Sequence, residues 1–192
     1  MTLIDVLRPG TYYLSAIAGG IGIAALLVSI TAFLLPDGCL AFYRRFPRSV
    51  WPGRILTVLC FVWAACWLYV MPLGPVSFLQ SLLPYLTPVA IVAVWFCLGD
   101  LLSCRAVGGL MVLLPTPMLS AAQWHPSGWR YAVIVLAYAM AIFGMFVVAM
   151  PYLLRDLMTW CTRSKPRFLR LVFLELGLGL LLFVLALTVF RG

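Results

Sequence analysis

The chain has 192 residues, of which 65% are hydrophobic and 9% charged, with a net charge of +8 and a mean hydropathy of +1.13. A soluble domain is about a quarter charged and about half apolar, and a short one leaves much of its surface in water. The composition therefore excludes a soluble enzyme, a nucleic-acid-binding domain and a disordered chain, and it predicts a polytopic membrane protein.

A bilayer core about 30 Å thick takes about 20 apolar residues in helical form. The first run that meets this covers residues 11–35, is uncharged, and ends at Pro36-Asp37-Gly38. It is too long for the core of a signal peptide and lacks a small-x-small cleavage site at its end, so a retained span is expected. Within it, Ala16, Gly20 and Ala24 recur at four-residue spacing, and so do Ala18 and Gly22. Small residues at that spacing let helix backbones approach closely in lipid. Gly20 and Gly22 are thus candidates for packing inside the bundle or for contact with a partner subunit. The connection that follows carries Arg44, Arg45, Arg48 and Arg54 among Phe42, Tyr43, Phe46 and Trp51. It reads as a basic segment lying along the membrane interface.

A second span covers 55–71. The stretch after it contains Pro72, Pro75, Pro84 and Pro88, each of which removes a backbone donor and disfavours helix in the residue before it. A short interfacial or partly re-entrant helix over 76–83 is therefore expected ahead of a third span at 82–98. The fourth span, 106–122, is only about 17 residues or about 25 Å long as a helix, and it holds Pro115 and Pro117. A re-entrant segment here, leaving five crossings, is the alternative to six. The fifth span is expected at 131–154 and the sixth at 168–190.

Charge sets the orientation. The connections after the first, third and fifth spans hold ten of the thirteen basic residues, including Arg105, Arg155, Arg163, Lys165, Arg167 and Arg170. The positive-inside rule places those loops in the cytoplasm. Six spans then leave both termini on the non-cytoplasmic side, whereas five would set the two strongly basic loops on opposite sides. A prokaryotic cytoplasmic membrane is the expected setting. Arg44, Arg45, Arg48, Arg163, Lys165 and Arg167 form a predicted cytoplasmic basic surface, facing anionic headgroups or an acidic partner.

Glu175 is the one carboxylate well inside a predicted span, with Gly177 and Gly179 beside it to admit a close helix. An embedded ionisable group is costly and is a functional candidate by default. It is expected to pair with Arg170, Arg105 or a basic residue of another chain, to stay protonated and hydrogen-bonded, or to relay a proton or cation. Asp100 and Arg105 are expected to pair or to be hydrated locally at the cytoplasmic face.

The remaining chemistry is sparse. Cys39, Cys60, Cys66, Cys97, Cys104 and Cys161 form no CxxC and no zinc-type spacing, and they read as packing thiols. His125 is the single histidine, which denies the chain a bis-histidine haem or a multi-histidine metal site. It lies on the side opposite to that expected for Asp37, Asp100 and Asp156, so no Ser-His-Asp set is expected. Neither a P-loop nor a dinucleotide fingerprint is present. No cofactor, metal site, nucleic-acid partner or catalytic activity is expected. The sequence predicts an all-α bundle of six transmembrane helices in one domain. Its expected function is that of a non-catalytic integral subunit, in a scaffold, assembly or accessory role, contacting membrane lipid and other membrane protein subunits. The alternative is a small transporter or channel using Glu175 and the Pro-broken helices.

Overall fold

The computed structural model describes residues 14–71, 78–99, 101–123 and 127–190, and among these residues there is no strand. Six helices are long and apolar enough to cross a membrane. The chain is an all-α, multi-pass integral membrane protein.

Helix α1 spans Leu14–Leu34. Leu35 leaves the helical conformation (φ −125°, ψ 59°), and Pro36 then opens α2, Pro36–Arg45. Proline suits that position because its fixed φ fits a first turn and its missing N–H is not needed there. A short 3₁₀ turn, Phe46–Arg48, follows. Helix α3, Val50–Val70, begins before the expected residue 55. Pro52 falls in its first turn, where proline is tolerated.

Helix α4 spans Phe78–Cys97 with Pro84 and Pro88 inside it. This corrects the expectation of a separate short helix ahead of the third span, whose residues 76 and 77 lie outside the described residues. The two prolines deprive the Gln80 and Pro84 carbonyls of their usual donors. The helix nevertheless runs unbroken through both, and the Thr87 hydroxyl in the same turns donates to Leu83 O at 2.7 Å.

The fourth span consists of α5, Leu102–Leu113, and α6, Pro115–Gln123. Leu114 between them keeps helical angles (φ −57°, ψ −37°), and its N–H reaches Leu110 O at 2.9 Å. The segment therefore continues in one direction through 22 residues rather than turning back as a hairpin.

Helix α7, Arg130–Ala149, stops short of the expected residue 154. Pro151 forces Met150 out of the helical region (φ −127°, ψ 75°), as the residue before a proline is disposed to be. The chain restarts as α8, Tyr152–Cys161. Helix α9, Lys165–Thr188, completes the fold, with Pro166 in its first turn.

The spans pack in the order α9, α1, the fourth span with α7, then α3, with α4 outermost. The closest approaches occur at glycines. A Cβ on Gly22 of α1 would lie 2.9 Å from Phe183 N and 3.0 Å from Gly179 O of α9. A Cβ on Gly108 of α5 would lie 3.0 Å from Gly144 O of α7. Only hydrogen at those positions allows backbone to meet backbone.

The connections after α1, α4 and α7 meet at one end of the bundle. There the Ser103 hydroxyl donates to Ser49 O, Arg105 Nη1 donates to Val148 O at 3.0 Å, and Arg44 Nη2 donates to Thr162 O. We refer to it as the basic end. At the opposite end one core joins Leu14 and Ala18 of α1, Met118 and Ala122 of α6, Val133 and Ala137 of α7, and Leu185 and Ala186 of α9. At the basic end the core is split. One cluster ties Ala32 and Leu40 to Phe168 and Val172, and a second ties Cys104 to Val147 and Leu154.

Candidate functional site

The split core creates the main polar feature of the molecule. Helix α2 belongs to the first cluster through Leu40, and α8 belongs to the second through Leu154 and Met158. Between them lies a hollow of about 830 Å³, lined by Tyr43, Arg44, Pro47 and Arg48 on one side and by Arg155, Asp156, Thr159, Trp160, Thr162 and Arg163 on the other. Four guanidiniums thus face one carboxylate. That carboxylate is engaged, since Arg155 holds Asp156 Oδ1 at 2.8 Å through Nη2 and at 2.9 Å through Nε.

Each wall is positioned by local chemistry. Pro47 is buried under the 3₁₀ turn, which fixes where Arg48 leaves the backbone. Thr162 is also buried and donates to Met158 O at 2.8 Å. Its carbonyl accepts from Arg44, a strut across the mouth of the split. Burial above all, then the Glu175 carboxylate and Cys39, hold the Tyr43 phenol above its ordinary value of 10.0. It stays a neutral hydroxyl, able to donate, throughout the physiological range. The side chains of Arg48 and Arg163 make no hydrogen bond or ion pair with any described residue. The hollow can therefore offer free N–H groups to an anion.

Of the six basic residues singled out from sequence, Arg44, Arg48 and Arg163 come together here. Arg45 lies on a separate recess with Ser49 and Pro52. Lys165 is drawn to Asp37, 2.9 Å away, and Arg167 stacks over Trp160 at 4.7 Å. Sequence reasoning missed Arg155 and Tyr43 as members of the set. The signal available was that Arg155 and Asp156 lie one turn after the Pro151 break, in a short helix, Tyr152–Cys161, that carries polar groups on one side of an otherwise apolar sequence.

The second candidate place is the seam between α1 and α9. Gly22 and Gly179 form its crossing point, while Gly20 and Gly177 face outward with open space around them. Ala16 and Ala24 share the exposed line with Gly20. Glu175 is half-buried and has no hydrogen bond or ion pair with any described residue. The structure does not pair it with Arg170, which donates to Pro166 O, or with Arg105, which donates to Val148 O. The antiparallel register sets Ala25 against Gly179 and Phe33 edge-on to Phe173, so Ser29 lies at the level of Glu175. Ser29 is fully buried, and its hydroxyl has no hydrogen-bond partner. Asp100 and His125 lie outside the described residues.

A third feature is an apolar groove of about 480 Å³ between α3 and α4, lined by residues such as Val62, Cys66, Leu83, Pro84 and Ile91. All six cysteines are free. Comparison with family models, with curated proteins and with solved structures finds no match. The functional reading therefore rests on the geometry of this chain.

Proposed function

We propose that the protein is a non-catalytic integral subunit of a larger membrane assembly, in a scaffold, assembly or accessory role. The observation that carries this reading is the third span. Among the described residues α4 packs substantially against α3 alone, and only 11% of its apolar window is buried within the chain. A span with two prolines and one neighbour is poorly held by its own molecule, and the groove beside it suits a partner helix. The outward line of Ala16, Gly20 and Ala24 on α1 offers a second close-approach face. The basic end faces the cytoplasm on this reading, as the positive-inside rule directs, and the membrane is the cytoplasmic membrane of a prokaryote.

Native mass spectrometry of the protein extracted from its own membrane in polymer nanodiscs tests this. Other polypeptides in fixed stoichiometry are expected. A lone monomer in native lipid would refute the subunit reading.

The second reading, a small transporter or channel, draws on Glu175 and Ser29. An unpaired carboxyl at the same level as a buried, unpartnered hydroxyl is an arrangement suited to passing a proton or small cation. On that reading Glu175→Gln abolishes flux in reconstituted vesicles while the chain still folds; unchanged flux removes it.

A further inference from the structure

The basic hollow is more than a topology signal. Loops that only obey the positive-inside rule need their charges on one side of the membrane, not gathered around one recess. Here arginines from two connections far apart in sequence, Arg44 and Arg48 on one and Arg155 and Arg163 on the other, line the same space. The side-chain donors of Arg48 and Arg163 have no partner among the described residues, and Arg44 commits Nη2 to Thr162 O. A guanidinium is a planar fork whose paired N–H groups match the oxygens of a phosphate. The recess also sits where α1 gives way to α2 and α7 to α8, the level of lipid headgroups. Trp160, half-exposed at its rim, is a residue at home at that level. Its volume of about 830 Å³ leaves room for a phosphate and the small polar group attached to it.

We propose that this hollow binds a phosphate-bearing group, supplied by the headgroup of an anionic lipid or by a small phosphate ester. Arg48 and Arg163 grip the phosphate from opposite walls, Arg44 adds its remaining donors, and the Tyr43 hydroxyl and Thr159 face the attached polar group. Arg155 stays with Asp156. The site needs no partner chain, so it stands apart from the subunit reading.

The test uses the full chain in nanodiscs. In one arm the discs contain equal phosphatidylcholine and phosphatidylglycerol, and native mass spectrometry reads the lipids that remain bound. In the other the discs are pure phosphatidylcholine, and glycerol phosphate is titrated while thermal stability is followed. Preferential retention of phosphatidylglycerol identifies a lipid headgroup; saturable stabilisation by glycerol phosphate identifies a soluble ester. Either response should be about thirtyfold weaker in the R48Q/R163Q double variant, the loss expected from two basic groups at a membrane surface. It should persist in R45Q, which removes a charge from the same end but outside the hollow. Absence of both responses in the wild-type chain overturns the proposal without recourse to any variant. An R48Q/R163Q response equal to wild type, or an equal loss in R45Q, overturns it as well.

Discussion

Four glycines of the same composition class do opposite things, and only their surroundings separate them. At Gly22 an added methyl would meet the backbone of Phe183 and Gly179, which has no flexible end to move aside. Gly22→Ala should therefore destabilise the α1–α9 pair by about 1–3 kcal/mol, the usual cost of overpacking, read by unfolding in mixed micelles. Gly20→Ala and Gly177→Ala meet open space and should change stability by less than about 0.5 kcal/mol. Tyr43 gives a residue-scale pH prediction. Its folded-state pKa is raised above the ordinary 10.0, by burial first, so its contribution to stability is complete below that value. It is lost as pH rises through the folded pKa. Alkaline melting curves of wild type and Tyr43→Phe should differ in this direction, with the phenylalanine variant losing less stability above pH 10.0.

Among elements, α4 shows how a weakly held span is tied in. The Gln80 amide donates to Met71 O at 2.8 Å and to Tyr69 O at 3.2 Å, so a side chain of α4 satisfies carbonyls left open at the C-terminal end of α3. Arg54 lies over the Trp95 ring at 5.4 Å, joining the other ends of the same two helices. Gln80→Leu should cost about 1 kcal/mol and speed amide exchange in the last turn of α3 and the first turns of α4, leaving α7 and α9 unchanged. The other element-scale lesson concerns proline. Pro84 and Pro88 were expected to break a helix and do not, whereas Pro151 ends one. Pro84 and Pro88 sit inside a helix that continues past them, whereas Met150, directly before Pro151, adopts φ −127° and ψ 75° and the helix ends there, as the residue before a proline is disposed to do.

For the whole molecule, the continuous core at one end and the split core at the other make the two ends unequal. The connected end ties α1, α6, α7 and α9 together; the split end carries the arginines. The positive-inside rule directs the arginine-bearing end to the cytoplasm, and this proposed orientation can be tested by labelling. A membrane-impermeant maleimide should add label, above the wild-type background, to intact cells bearing Ser127→Cys and not to those bearing Arg45→Cys. The reverse pattern would invert the expected orientation. Gly20→Leu should reduce recovery of co-purifying chains while leaving the melting curve of the isolated protein in place, because Gly20 faces away from the chain's own core.

The number and order of the spans were legible in the sequence because transfer of a helix into lipid depends on the apolar content of about 20 consecutive residues, a strictly local quantity. The gathering of basic residues at one end was legible for the same reason, since it depends only on which connections alternate. The small-residue lines on α1 were visible too, but their roles were not: which of Gly20 and Gly22 turns inward depends on where α9 lies. Arg170 and Arg105 were the natural partners for Glu175 by proximity in sequence or expected depth, and backbone carbonyls hold both instead. The hollow was beyond sequence because its walls come from connections more than 100 residues apart, joined by the contact of Arg44 with Thr162. Local hydropathy determined that this chain crosses a membrane; long-range packing alone decided which arginines face one another.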